Sequence, residues 1–237
     1  MTAENDRPVL LDLFCGAGGA TKGYQRAGFY VVGVDIKPQP NYCGDEFFQD
    51  DAIEYLRHLA WLVKRYPGEK GRFVAIHASP PCQAYAVLAT DRKRDDHPEM
   101  LEPVRDLLRQ IDLPWVIENV PTAPMPDSFV LCGSTFDLPI IRHRRFEVSP
   151  PMGLHPSLCP QERYGRGVDH GPGFYPYARK SWEAAWREHV VPVVWPWMTL
   201  EEAGQAIPPA YTEYIGTYLL EHLRSGHSVH APSSTTL

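Results

Sequence analysis

Val9-Leu10-Leu11-Asp12-Leu13-Phe14-Cys15-Gly16-Ala17-Gly18-Gly19-Ala20 decides the architecture. An apolar run of strand length enters a glycine turn, and a helical pattern follows to Ala27. Strand, glycine turn and helix in that order form the geometry of a nucleotide site. The glycines let the backbone approach a ligand, and the helix N-terminus offers free amides. The spacing matches G-x-G-x-x-G poorly, which speaks against a dinucleotide.

Reading outward, a second strand, Tyr30 to Val34, ends in Asp35, an acid placed to accept hydrogen bonds from ribose hydroxyls. Asp50-Asp51-Ala52 precedes an amphipathic helix from Ile53 to Arg65, apolar at Ile53, Leu56, Leu59, Ala60 and Val63. One of the two aspartates is its N-cap or stands beside a bound adenine. The β-branched run Phe73-Val74-Ala75-Ile76 reads as a buried strand. It leads into His77-Ala78-Ser79-Pro80-Pro81-Cys82-Gln83, where two prolines stop any helix and stiffen the exit. Cys82 is thereby held at the carboxyl end of a strand, where open α/β sheets place their ligands. Gln83 to Met100 is polar and rich in mixed charge, a long loop of the kind that closes over sites.

A helix from Leu101 to Ile111 and a strand Trp115-Val116-Ile117 come next, and Glu118 again puts a carboxylate at a strand end. Strands alternating with helices predict an α/β fold with a doubly wound, mostly parallel sheet over residues 8–148. From Ser149 to Pro196, Pro, Gly, His and Tyr are frequent and periodicity is weak except at Trp182 to Val190. Residues 149–198 therefore read as a small irregular second lobe. Residues 199–224 return to the first domain through a helix from Ala210 to Leu223, and 225–237 read as a frayed tail.

The 237 residues suffice for one substantial core. A balance of 23 Lys and Arg against 29 Asp and Glu, net charge -6, argues mildly against a nucleic-acid partner. The cations are clustered, however, in Arg92-Lys93-Arg94 and Arg142-His143-Arg144-Arg145, so a locally positive cleft is compatible with the total. Five scattered cysteines fit no disulfide framework and predict a reducing, cytoplasmic setting. Met1 to Arg7 lacks the basic and apolar regions of a signal peptide, and no apolar run reaches the length of a membrane span. His155, Cys159 and His170 fit no standard zinc spacing, and no metal is expected.

Together these segments resemble the cytosine-5 DNA methyltransferase family. Asp12-Leu13-Phe14-Cys15-Gly16-Ala17-Gly18-Gly19 matches its first motif, which holds S-adenosylmethionine. Val34-Asp35-Ile36 and Asp51-Ala52 match its ribose and adenine motifs, Pro81-Cys82-Gln83 its nucleophile motif, and Glu118-Asn119-Val120 its base-binding motif. Arg142-His143-Arg144 supplies its Arg-x-Arg, in a register that Arg145 leaves open by one residue. Gly204-Gln205-Ala206-Ile207-Pro208-Pro209 resembles its last motif. The order is the family's order, from residue 9 to about residue 220. Three positions depart from the pattern: Ala86 stands for a Ser, Ile140 (or Ile141) for a Gln, and Gln205 for an Asn.

The resemblance implies a Rossmann-like methyltransferase fold, S-adenosylmethionine as cofactor and DNA as partner, a duplex with a flipped cytosine or a single strand. It implies that Cys82 adds to carbon 6 of cytosine while Glu118 stabilises charge at ring nitrogen 3, with Arg142 and Arg144 holding the ring oxygen and the Glu118 carboxylate. It assigns Phe14, Cys15, Gly16, Ala17, Gly18, Gly19, Asp35, Ile36, Asp51, Ala52, Pro81, Leu101 and Gln205 to the cofactor. Gln83, Arg92, Lys93, Arg94, Arg145, Arg166, Arg179 and Lys180 are its nucleic-acid contacts. The family inserts a substantial recognition domain where this chain has about fifty residues between Phe146 and Thr199. Relaxed specificity, a partner that supplies specificity, or a non-duplex substrate would follow. Tyr164, Phe174, Tyr175 and Tyr177 either stack on an unpaired strand or pack the small lobe. The same chemistry on RNA, a modified sulfonium donor, or a non-catalytic DNA-binding role on the same fold are the competing readings.

Overall fold

The computed structural model describes residues 6–67, 71–83, 85, 99–154, 156, 157, 159 and 186–226. Strand β1 (Val9–Leu13) is followed by α1 (Gly19–Ala27), β2 (Tyr30–Asp35), β3 (Glu46–Gln49) and α2 (Ala52–Arg65). Next come β4 (Phe73–Ala78), α3 (Leu101–Leu108), β5 (Trp115–Asn119), β6 (Ser128–Leu131), a 3-10 turn (Gly133–Phe136) and β7 (Arg144–Ser149). A π-helical turn (Trp186–Val190), α4 (Val191–Val194), α5 (Leu200–Gln205) and α6 (Pro209–Arg224) close the described chain.

The seven strands form one sheet in the order β3-β2-β1-β4-β5-β7-β6. The first five are parallel, and β7 runs antiparallel to both β5 and β6. This is the expected doubly wound, mostly parallel, Rossmann-like α/β sheet. Chain order reverses between β1 and β4, so the crevice for a ligand opens at their carboxyl ends. Several elements escaped the sequence reading, among them the strands β3, β6 and β7. β3 is a short, half-exposed edge strand, and β7 hides inside the basic knot, where its arginines mask the alternation. The 182–185 part of the periodic stretch lies outside the described residues.

The two-residue period of the strands divides the core. Leu11, Leu13, Val32, Val34, Ile76 and Ile117 meet α2 and α3 on one face. Leu10, Val31, Ala75, Val116 and Phe146 meet α1 and α6 on the other. Helix α1 stops at Gly28, whose φ of 113° lets its N–H turn back to the carbonyls of Gln25 and Tyr24. Helix α3 ends three residues short of the expected Ile111, because the amides of Gln110 and Ile111 tighten onto Leu107 and Leu108 ahead of Pro114. Helix α6 starts at Pro209, a residue suited to a first helical position.

Arg105 on α3 is buried and reaches β7, where its Nε and Nη2 meet the Glu147 carboxylate at 3.0 and 2.7 Å. A buried pair of this kind resists loss of one partner by about 3–5 kcal/mol. Among the described residues no helix is long and apolar enough to cross a membrane.

Candidate active site

The carboxyl ends of β2, β1, β4 and β5 lie side by side; Asp35 ends β2, Glu118 and Asn119 end β5, and Ser79 follows β4. At the end of β1 the turn passes through left-handed backbone at Phe14 (φ 59°), Gly16 (φ 51°) and Gly18 (φ 89°). For Phe14 such a conformation is strained, which marks a turn fixed by its surroundings. A Cβ on Gly16 would meet open space, whereas one on Gly19 would lie 2.5 Å from the Ile207 carbonyl oxygen. The turn is thus open toward the strand ends and closed against the C-terminal segment. Trp197 closes it further by donating from Nε1 to the Ala17 carbonyl at 2.9 Å. No side chain caps α1, so its first amides are available to a ligand.

Asp35 at the end of β2 accepts the Gly16 N–H on Oδ2 and the Lys37 N–H on Oδ1, both at 3.0 Å. These bonds lock the carboxylate over the turn and leave each oxygen a lone pair for hydroxyl donors. Beneath lies Asp12, fully buried and paired across the sheet with Gly33 and His77. Thr21 donates to its Oδ2, while Oδ1 has no hydrogen-bond partner among the described residues. Burial pushes this carboxyl up to about 7. The Asp12 carboxyl is therefore enclosed in the core beneath the turn.

Of the remaining cofactor candidates, Ile36 stands 62% exposed beside Asp35. Asp51, not Asp50, is the N-cap of α2, accepting the amides of Ile53 and Glu54 at 2.8 and 3.2 Å. Ala52 is buried behind it. Burial pushes the Cys15 thiol far above its usual range, so Cys15 contributes backbone and packing rather than a thiolate. Pro81 is half-buried and Gln205 exposed at the end of α5. Leu101 is a correction: it is wholly enclosed in the core at the head of α3 and presents no surface to a ligand.

Cys82 is half-buried, and its loop is held from the β5 side. Asn119 donates from Nδ2 to the Pro80 carbonyl at 3.1 Å, and Thr122 donates to the Tyr85 carbonyl. Burial raises the Cys82 thiol first of all; Glu118 raises it further, and Arg144 and Arg142 oppose the rise. Gln83 follows, exposed. Ala86 and the expected phosphate contacts Arg92, Lys93 and Arg94 lie outside the described residues, as do Arg166, Arg179 and Lys180.

Strand register resolves the arginines. Phe146 pairs with Glu118, and Arg145 with Asn119. Alternation puts Glu118, Arg144 and the buried Phe146 on one face and Arg145 on the other. Arg144 Nε lies 3.0 Å from Glu118 Oε1, both side chains nearly buried. Arg145 is instead taken up by the Met125 carbonyl and Ser128 Oγ at 3.2 and 3.1 Å. Its guanidinium thereby ties β7 to the loop before β6. Arg142, fully buried, donates to the Gly204 carbonyl at 2.9 Å and lies over the Trp195 ring. It therefore braces the segment around Gln205, while Arg144 holds the carboxylate.

Burial raises the Glu118 carboxyl, against the pull of Arg144, Arg142 and a hydrogen bond from Ser79. Behind Ser79 stands a buried chain that the sequence reading missed. His77 Nε2 lies 2.9 Å from Ser79 Oγ, and its Nδ1 lies 3.0 Å from Tyr24 Oη. Burial pushes His77 down to about 3, so it is neutral. If Ser79 donates to Glu118, His77 must donate from Nε2 and accept from Tyr24, and the donors run one way along the chain. The spacing of His77 and Ser79, two apart on one strand face, was the available signal.

No family model and no curated protein matches the chain. Solved structures similar to it include an E. coli prophage-encoded protein described as a DNA modification methyltransferase, at 23% identity and a TM-score of 0.43, over 60% of this chain and 46% of that one. The Entamoeba histolytica methyltransferase EhMeth is 17% identical with a TM-score of 0.44, over 65% of this chain and 57% of that one. The S. pombe Dnmt2 methyltransferase is 18% identical with a TM-score of 0.42, over 60% and 49%. The aligned part spans about half the length of these proteins.

Removing the Asp35 carboxylate tests the ribose assignment. Asp35→Ala is expected to weaken S-adenosylmethionine and S-adenosylhomocysteine alike by about 10- to 100-fold, the worth of charge-assisted hydrogen bonds. Titration calorimetry reads the loss, and unchanged affinity for both would remove Asp35 from the site.

Proposed function

We propose that the chain is an S-adenosylmethionine-dependent methyltransferase that acts on carbon 5 of cytosine in DNA, with Cys82 as covalent nucleophile. The observation that carries this reading is the convergence on one sheet edge of a cysteine, a buried carboxyl with its own arginine, and a glycine turn with a locked strand-end acid. A binding module has no use for the first two together. The turn from Phe14 to Gly19, Asp35 and Ile36 would hold the donor, with the Asp35 carboxylate open to ribose hydroxyls. When bound, the donor supplies an electrophilic methyl group.

Carbon 5 of cytosine is too weak a nucleophile to take that group unaided. Cys82 loses its proton to solvent and its sulfur bonds to carbon 6, pushing the 5,6 π pair toward carbon 5. Glu118, whose carboxyl burial raises and which Arg144 and Ser79 hold, acts in its protonated form, giving its proton to ring nitrogen 3 and neutralising the charge that accumulates there. After carbon 5 has been alkylated, loss of its proton to water returns the electron pair and expels the Cys82 thiolate, while nitrogen 3 returns its proton to Glu118. A base stacked in a duplex cannot meet Cys82, so the cytosine must be swung out or unpaired.

Mass spectrometry of nucleosides from DNA and RNA incubated with the protein and S-adenosylmethionine tests the proposal. Methylcytosine bearing its new group at carbon 5 in DNA is the expected product. The same product in RNA alone would reassign the polymer, and no product with intact donor binding would overturn the reading.

A further inference from the structure

Away from the nucleophile, three residues from three separate segments come together on the side of β7. Cys132 closes β6 and caps the 3-10 turn, His143 precedes β7 between the two arginines of the site, and Cys159 lies beyond the end of β7. Their ligand atoms all lie within 4.8 Å of one another, and His143 Nε2 is 3.3 Å from Cys159 Sγ. Both cysteines are buried, at 1% and 4% exposure, in a small cluster with Ile141. Ser134 sends its hydroxyl to Cys132 Sγ at 3.2 Å and stands 3.4 Å from Cys159 Sγ.

We propose that Cys132, His143 and Cys159 form a zinc site that clips the segment after β7 to the stretch carrying Arg142 and Arg144 at the start of β7. Bonds of about 2.3 Å to sulfur and 2.0 Å to nitrogen at tetrahedral angles place a nitrogen and a sulfur about 3.5 Å apart and two sulfurs about 3.8 Å apart. The His143 to Cys159 separation of 3.3 Å lies close to the first value, and the full cluster, within 4.8 Å, closes on a metal with shifts of about an ångström or less. Two thiols and an imidazole are the ligand chemistry of zinc rather than of calcium or magnesium, which take oxygen. The fourth position falls to solvent held by Ser134, which stands next to both sulfurs. Binding releases the thiol protons to solvent and leaves two thiolates and a neutral imidazole on the cation.

The site answers a structural need. Cys159 lies in a stretch poor in apolar residues, and a metal clip replaces the core that such a stretch cannot build. His143 also stands between Arg142 and Arg144 on the opposite face, so fixing its ring fixes the backbone from which both arginines reach inward. The sequence reading paired Cys159 with His155 and His170. Neither belongs to the described residues, and spacing alone does not point to Cys132 and His143.

The test is metal analysis of the full chain, purified without chelator and then titrated with Zn2+ or Co2+. One tightly held zinc per chain is expected, with Co2+ giving thiolate charge-transfer bands and the strong visible bands of a tetrahedral site. The Cys132→Ser/Cys159→Ser double variant is expected to lose both the metal and these bands while keeping its far-ultraviolet dichroism. Should that variant fail to fold, His143→Gln, expected to lower zinc affinity at least tenfold, serves in its place. A wild-type chain that takes up neither metal, a cobalt spectrum without thiolate bands, or a Cys132–Cys159 disulfide found by mass in the metal-free protein would each overturn the proposal.

Discussion

Replacing Cys82 by Ala is expected to lower methyl transfer on the order of 10⁴–10⁶-fold, the scale on which loss of a covalent nucleophile is felt. Donor affinity is expected to stay unchanged, because Cys82 belongs to the loop after β4, whereas the glycine turn follows β1 and Asp35 ends β2. No other described cysteine can stand in. Cys15 and Cys43 are under the turn with thiols raised by burial, Cys43 to about 11, and Cys132 and Cys159 sit together beyond the arginines. A single-turnover assay with labelled donor measures the loss. Cytosine carrying fluorine at carbon 5 gives a second readout that does not depend on rate. With no proton to lose at carbon 5, the adduct cannot expel the sulfur, so a denaturation-resistant conjugate should form with the wild-type chain and not with Cys82→Ala. Transfer by the variant at the wild-type rate would remove Cys82 from the mechanism.

The parts of the site legible in the sequence are those whose signals are local. β1, the glycine turn and α1 follow one another within twenty residues, and Asp35 and Glu118 each close an apolar run. These features are fixed by what a buried parallel strand and a helix N-terminus demand, so a single chain displays them. The arginine register was legible only as far as its period. Arg142 and Arg144 share one face and His143 and Arg145 the other, but which face looks inward is set by Phe146 packing beside Val116 and Tyr211. That is a long-range fact.

The rest of the site is long-range in the same sense. Trp197 seals the turn at Ala17 across 180 residues, and Arg142 reaches Gly204 across 62. No periodicity announces either bond. His77 reads from sequence as a strand residue before two prolines. Its use becomes visible only when β1 and β4 lie side by side under Tyr24 and the imidazole bridges Tyr24 to Ser79. The error at Leu101 has a related cause, since a position matched to a motif says nothing about whether its side chain ends at a crevice or inside the core.

Glu118→Gln is the sharper test of the chemistry, because it keeps the shape of the side chain and removes its proton. Transfer is expected to fall about 10²–10⁴-fold, the usual worth of a positioned acid, with donor affinity kept. The pH dependence separates this role from a merely structural one. Reaction needs Cys82 ionised and Glu118 protonated in the same molecule. Burial raises both groups, Glu118 from 4.5 and Cys82 from 9.0; with Glu118 the first to ionise as the pH climbs, the two titrations give the wild-type profile its shape. Below the Glu118 pKa, kcat/KM of the wild-type chain rises with pH as thiolate accumulates. Above it, each further gain in thiolate is cancelled by loss of the Glu118 proton, and the profile levels off. With Gln the side chain is neutral at every pH, so the levelling disappears and kcat/KM keeps rising until Cys82 is fully ionised. That endpoint itself moves to lower pH, because the Glu118 charge is one of the causes that raise the Cys82 thiol. A Glu118→Gln profile that levels where the wild type does would show that the titrating acid is another group, and Glu118 would be left with a packing role beside Arg144.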